Sequence, residues 1–211
     1  MLEYNNIKFT VNTQSSVRIE KDGLVIYVDP FKIEGEPHDA NYVFVTHSHY
    51  DHYSLEDIKK VANSKTVVFA PEDVDISNKI KVKPEEDYAL EDFTFKTVRA
   101  YNKLKPFHLK IKNWVGYLIN IDGTIIYVSG DTDYIDEMNN IKCDIAFLPI
   151  GGVYTMDYKE AAKAACAIDL RCVVPTHYGS IVGRMEDGEK FKEKVLEENE
   201  NIRVEILIGE K

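Results

Sequence analysis

Residues 46 to 52 read Thr-His-Ser-His-Tyr-Asp-His, which puts three of the chain's six histidines and one aspartate into a single short segment. If the chain leaves a strand extended, side chains two positions apart face the same way, so His47 and His49 can grip one ion. A turn into a following helix then swings Asp51 and His52 toward a neighbouring position. Imidazole nitrogen with one carboxylate suits Zn²⁺ or another borderline divalent ion. The three cysteines form no CxxC pair, so thiolates are too few for a structural zinc site of the Cys type.

The elements that must position these groups are legible as apolar runs. Residues 42–46 lead straight into His47, 125–129 into Gly130-Asp131, and 173–176 into His177, while 24–28 end in Asp29. Each reads as a buried strand delivering a His or Asp at its C-terminal edge, where α/β sheets place their ligand crevices. Further strands are expected over 7–12, 17–20, 66–70, 93–101, 114–121, 144–148, 172–175 and 202–208. A helix is expected over 54–62 with Ser54 as its N-cap, another over 157–168 opened by an Asp157/Glu160 capping box, and a third, charge-laced, over 187–199. No fixed-period repeat and no Pro/Gly/Ser-rich linker divides the chain, so residues 1–211 read as one α/β domain built of two similar halves.

Composition narrows the function classes. Hydrophobic residues at 44% and charged residues at 29% exclude a disordered, collagenous or disulfide-scaffold protein. Acidic residues outnumber basic ones by 36 to 26, a formal charge of −10 that repels polyphosphate backbones at long range and disfavours nucleic acid as partner. Cys143, Cys166 and Cys172 read as reduced, small apolar residues. No apolar run reaches the ~18 residues of a membrane span, and the opening MLEYNNIKFTV lacks a basic segment leading into an apolar stretch, so the expected compartment is the cytoplasm.

The HxHxDH pattern after an apolar strand resembles the metallo-β-lactamase superfamily. Asp-Pro-Phe at 29–31, Gly130-Asp131-Thr132 and Pro175-Thr176-His177-Tyr178-Gly179 are similar to the downstream signatures of its small single-domain hydrolases, a group with lactonase-like and phosphodiesterase-like members. The resemblance covers essentially the whole chain and implies a four-layer αββα sandwich with two metals at one edge of its sheets. It implies that His47, His49 and a third, mid-chain histidine hold the first metal, that Asp51, His52 and His177 hold the second, and that Asp131 bridges them. One departure stands out. The third histidine usually follows the mid-chain strand closely, but Ala100-Tyr101-Asn102 occupies that place and His108 lies further on, in Lys105-Pro106-Phe107-His108. His108 is assigned as the unused histidine downstream of the cluster; the alternative has Asn102 or water completing the shell and His108 on the surface. His38, in a polar loop, is left over and expected to be exposed.

Two such ions can share a hydroxide, since metal binding lowers the pKa of water to about 7, which makes hydrolysis of a small ester, lactone or phosphoester the expected reaction. Asp51 and His177 are the candidate catalytic residues, Asp51 orienting the hydroxide while it coordinates. Zn is the expected metal, with Mn or Fe as alternatives. Tyr50, Tyr154 and Tyr178 are candidate substrate contacts. Gly151-Gly152-Val153-Tyr154 reads either as a plain tight loop or as the source of a backbone N–H and a hydroxyl near the metals. Asp29 reads either as a strand-end cap or as the group that orients a ligand histidine. Two other functions compete: a nuclease or phosphodiesterase acting on nucleic acid, weakened by the −10 charge, and a non-enzymatic, metal-stabilised scaffold. A diiron redox role is disfavoured because flavodiiron relatives typically carry Glu where this chain has His49. Two divalent cations against Asp51, Asp131 and one hydroxide leave a locally positive pocket on an acidic protein, which favours small substrates over polyanions.

Overall fold

The computed structural model describes residues 1–208. Local pattern decides which strands face water. In β2 (Ile7–Val11) the odd-numbered side chains are buried and Lys8 and Thr10 are exposed, the period-two signature of a strand with one covered face. By contrast β12 (Ile145–Pro149) and β13 (Cys172–Thr176) are buried at every position, as strands covered on both faces must be.

The first sheet runs in chain order through β1 (Leu2–Tyr4), β2, β3 (Val17–Lys21), β4 (Leu24–Val28), β5 (Ala40–Phe44), β6 (Ala62–Ala70) and β7 (Ile80–Lys81). The second holds β8 (Asp87–Ala89), β9 (Thr94–Arg99), β10 (Val115–Ile121), β11 (Thr124–Val128), β12, β13 and β14 (Arg203–Val204), again in chain order. Both sheets obey one rule: the first three pairings are antiparallel and the last three parallel. The expected two similar halves are therefore a topological repeat with no sequence periodicity to announce it.

The sheets pack face to face over Phe9, Ile26, Phe44, Tyr117, Ile119 and Phe147. Phe44 of the first sheet sits edge-on to Phe95 and Tyr117 of the second, with ring centroids 4.9 and 4.8 Å away. Outside the first sheet, α1 (Leu55–Val61) covers Val25, Tyr27, Val43 and Val45 with Ile58 and Val61. On the far side of the second, α2 (Tyr158–Ala167) packs on β12 and on α3 (Asp187–Glu198), burying Ala161, Ala165, Phe191 and Val195. The result is the four-layer αββα arrangement. No helix among the described residues is long and apolar enough to cross a membrane.

Differences from the sequence reading are local. The short strands β1, β7 and β8, two or three residues each, give too little pattern to be read. The last strand covers only Arg203–Val204 of the expected 202–208. Asp157 caps α2 by accepting from Lys159 N and Glu160 N, but the capping box is not reciprocal. Glu160 accepts from Tyr134 N at 3.0 Å instead, a tertiary partner outbidding the local one. All three cysteines are free, and burial pushes the Cys143 and Cys172 thiols up to about 12 and the Cys166 thiol up to about 11.

Helix α1 follows the histidine segment, and Asp57 anchors it. Its carboxylate accepts from Lys32 N and Ile33 N, both at 2.9 Å, and from the Ser54 hydroxyl and Lys60 Nζ. Burial works to raise the Asp57 pKa, but the hydrogen bonds from Ser54 and Lys60 hold it below the ordinary carboxylate value. Asp57→Ala is expected to cost about 2 kcal/mol of stability by orphaning two backbone N–H groups. Because the folded pKa lies below the unfolded one, the ionised group's contribution is full above the unfolded pKa, near 4, and is lost as pH falls through the folded value. Urea denaturation of the wild type and the variant at pH 7 and pH 3 checks this: the gap between them should narrow at pH 3.

Candidate metal centre

Five strands end at one edge of the two sheets: β4 delivers Asp29, β5 leads to Thr46-His47, β11 to Asp131, β12 to Gly151 and β13 to His177. All five take part in the parallel pairings of their sheets. The two edges close on each other at Gly130. Its φ of +65° suits glycine, and a Cβ there would stand 3.0 Å from Thr46 Cβ. The contact is tied by the hydrogen bond from Val115 N to Thr46 O and by that from the Tyr117 hydroxyl to Val45 O, at 3.2 and 2.7 Å.

Three overlapping groups of possible ligand atoms result, each within 4.8 Å: His47 with His49 and His108, His47 with His52 and Asp131, and Asp51 with His52 and His177. His47 Nε2 lies 3.1 Å from His49 Nδ1. The Asp131 carboxylate lies between the outer groups, 3.2 Å from His52 Nε2, 3.3 Å from His108 Nε2 and 3.2 Å from His177 Nε2. Asp51 reaches His177 Nε2 at 3.2 Å and also receives Gln14 Nε2 at 3.5 Å. Buried His52 Nε2, His108 Nε2, His177 Nε2 and Asp131 Oδ1 have no hydrogen-bond partner. Buried polar atoms are normally satisfied, so a convergent set of orphans from imidazoles and a carboxylate fits divalent cations.

The outward nitrogens of His47, His52 and His108 are also oriented, whereas His177 Nδ1 has no hydrogen-bond partner. Asp29, fully buried, accepts from Thr46 N at 2.8 Å and from the Thr46 hydroxyl at 2.6 Å, and pairs with His52 Nδ1 at 2.7 Å. Because the Thr46 hydroxyl donates to Asp29, it must accept from His47 Nδ1–H at 2.9 Å. Asn102 Oδ1 accepts from both His108 N and His108 Nδ1. His47, His52 and His108 each present Nε2 to the centre as a consequence.

The charges are matched to the same end. Burial, reinforced by the neighbouring imidazoles of His52 and His108, holds His47 and His49 below the ordinary histidine value. Against the cost of burial, His177 and His52 hold Asp131 well below the carboxylate range. His52 goes the other way: burial would lower it, but the carboxylates of Asp131 and Asp29 carry it well above its ordinary value.

The centre opens into a cavity of about 240 Å³ lined by His49, Asp51, His108, Asp131 and His177, with Tyr50, Phe107, Tyr154 and Ile181 around them. Of the residues singled out in the sequence, the structure brings His47, His49, Asp51, His52, His108, Asp131 and His177 together. His108 is 1% exposed, so the arrangement with His108 on the surface is overturned; Asn102 positions the imidazole instead. Asp29 orients His52 rather than merely ending a strand. Tyr50 and Tyr154 line the cavity, whereas Tyr178 is fully buried with its hydroxyl toward Gly188 of α3, and its candidacy as a substrate contact falls. His38 is exposed as expected.

Several participants carried no readable signal. Trp114, the chain's only tryptophan, lies with its ring 4.8 Å from those of His47 and His49, and its indole N–H is held by Asp73, which also accepts from Ser48. Asp133 accepts from Asn102 Nδ2, Lys103 N and Lys105 Nζ, pinning the loop that carries His108. A single sequence gives no reason to choose these residues over other aspartates.

Residues 8–177 match a family model described as a beta-lactamase superfamily domain. A UPF0173 metal-dependent hydrolase of Pyrococcus abyssi is 34% identical over 194 residues, covering 81% of this chain and 84% of that protein. Another protein of that name, from Methanoculleus marisnigri, is 33% identical over 201 residues, covering 86% and 85%. Among solved structures, a protein of Parabacteroides distasonis provisionally designated a metal-dependent hydrolase superposes with a TM-score of 0.83 at 28% identity, over 95% of this chain and 92% of that one.

Proposed function

Because this chain belongs to the beta-lactamase superfamily, we propose that it is a metal-dependent hydrolase that uses a dinuclear centre on a small ester, lactone or phosphoester. The observation that carries the reading is the convergence of buried, unpartnered imidazole and carboxylate atoms at the floor of an open cavity. His47, His49 and His108 would hold one ion, and Asp51, His52 and His177 the other, with Asp131 shared. Zn²⁺ suits this nitrogen-and-carboxylate set best, with Mn or Fe as alternatives. Divalent ions held there would polarise the scissile bond and make bound water acidic enough to supply hydroxide near neutral pH.

The chain's own residues do the rest. Asp131 and Asp51 supply the negative charge that keeps two cations together, and their carboxylate oxygens face the space where water would be oriented. Asp29, through His52 directly and through Thr46 to His47, fixes which ring nitrogen is free. Trp114, itself buried, packs its ring against those of His47 and His49. A purely structural metal would be enclosed by its ligands; here five of the seven candidate ligand residues, His49, Asp51, His108, Asp131 and His177, line an open cavity, which favours catalysis over a scaffold role.

Metal analysis of the purified protein, followed by a panel of chromogenic phosphodiester, phosphomonoester, ester and lactone substrates with Zn²⁺, Mn²⁺ or Fe²⁺, tests the reading. Two ions per chain and metal-dependent turnover are expected. One tightly enclosed ion and no turnover across the panel would return the scaffold reading.

A further inference from the structure

The walls of the cavity differ sharply from its floor. Phe107 and Tyr154 meet edge to face with ring centroids 4.7 Å apart, forming one apolar wall from two different loops. Those loops are pinned: Lys105 Nζ bonds both Asp133 and Thr155 O, and Asn102 Nδ2 bonds both Asp133 and Tyr154 O. The wall is therefore built before any ligand arrives. Ile181 and Tyr50 complete the lining, which contains no lysine or arginine. Three lysines on the nearby loop pair with carboxylates, Lys103 with Asp136, Lys105 with Asp133 and Lys110 with Glu137, and Lys112 lies over the Trp114 ring.

Exposed apolar side chains are also concentrated in the chain segments that carry the site. Among the described residues, nine of the thirteen exposed large hydrophobic side chains belong to the segments 46–54, 100–114, 150–157 and 177–187 that carry or flank the candidate ligands. They include Leu104, Ile111 and Val153, at 97%, 82% and 59% exposure. Exposed hydrophobic residues scattered singly need no explanation, whereas a concentration around a cleft marks a binding surface. A phosphodiester would bring anionic oxygens needing charge-assisted donors that this rim does not offer. A neutral carbonyl compound with an apolar arm needs none.

Resting on the hydrolase reading above, we propose that the substrate is a neutral carboxylic ester or lactone with an apolar acyl group seated against Phe107, Tyr154 and Ile181. Hydrolysis adds the oxygen of one water to the acyl carbon and breaks the acyl C–O bond. One water proton goes to the leaving alkoxide, and the other is released when the acid product ionises. The cavity of about 240 Å³ takes a short acyl chain, and a longer one continues over the rim.

The test uses the zinc-loaded full chain with p-nitrophenyl acetate, butyrate and hexanoate, and with bis-p-nitrophenyl phosphate, which shares their leaving group. kcat/KM should rise about fourfold per added methylene, in line with apolar burial, and the hexanoate should be preferred to the phosphodiester. Phe107→Ala and Ile181→Ala should each flatten the rise. A second arm reads binding without turnover: calorimetric titration with acetate, butyrate, hexanoate and inorganic phosphate should give an affinity that climbs along the carboxylates. A flat or falling series, or preference for the phosphodiester, would overturn the proposal. Turnover of none of the compounds by protein carrying two ions would sink the hydrolase reading instead, and the carboxylate titration would then decide the apolar seat alone.

Discussion

Asp131→Ala is expected to abolish the proposed dinuclear centre and turnover together. The residue sits between three imidazoles from both groups, 3.2 to 3.3 Å from His52, His108 and His177. No other carboxylate in the cluster faces all three, so its loss removes the shared ligand and one of the two negative charges that make adjacent cations tolerable. Partners that merely orient a ligand typically cost 10- to 100-fold in affinity or activity, so loss of a shared ligand should cost more than about 100-fold. Because the substitution also takes the buried counter-charge from His52, the metal-free melting temperature should fall as well, and melts without zinc read that cost apart from the loss of metal. Elemental analysis should give at most one ion per chain, and the rise in melting temperature that zinc gives the wild type should shrink. Two retained ions with unchanged turnover would refute the assignment. His49→Ala, which removes a ligand from one group only, should lose one ion first.

Such a test could be framed from the sequence because the chemistry lies in short, dense motifs at strand ends. His47 through His52 announce themselves by type and spacing, and Asp131 and His177 by following buried apolar runs. Where the strands are covered on both faces, as in β12 and β13, their unbroken apolar runs found them. What the sequence withheld is of two kinds. The edge strands β1, β7 and β8 are held by neighbours rather than by their own pattern. The positioning groups act across distances no local pattern encodes: Trp114 is 41 residues from its partner Asp73, and Asn102 reaches Tyr154, 52 residues on. His108 is the instructive case. Its candidacy follows from the family resemblance, as the unused histidine downstream of the cluster, but the reason it can point inward, Asn102 accepting from its backbone and its ring at once, exists only in three dimensions.

Asp29 separates stability from metal binding most cleanly. Its carboxylate accepts from Thr46 N and the Thr46 hydroxyl and pairs with His52 Nδ1, all with no exposed surface. Asp29→Ala leaves these buried groups without an acceptor and is expected to cost about 3–5 kcal/mol, the loss typical of breaking a buried charged pair. Asp29→Asn should behave differently. Asparagine tolerates the backbone conformation at this position, φ 47°, and its carbonyl can still accept from Thr46 N. The amide –NH₂ would then face both partners of the lost oxygen, the Thr46 hydroxyl and His52 Nδ1, and His52 Nδ1 must accept rather than donate. That choice drives the proton onto Nε2, the atom aimed at the centre, and a protonated nitrogen cannot coordinate. The asparagine variant should therefore melt closer to wild type than the alanine variant and yet bind zinc about 10- to 100-fold more weakly at the His52 group. Thermal melts paired with zinc titration against a chelator read the two effects separately. Wild-type affinity in Asp29→Asn would reduce Asp29 to a strand-end cap and show that the His52 tautomer is set by something other than this carboxylate.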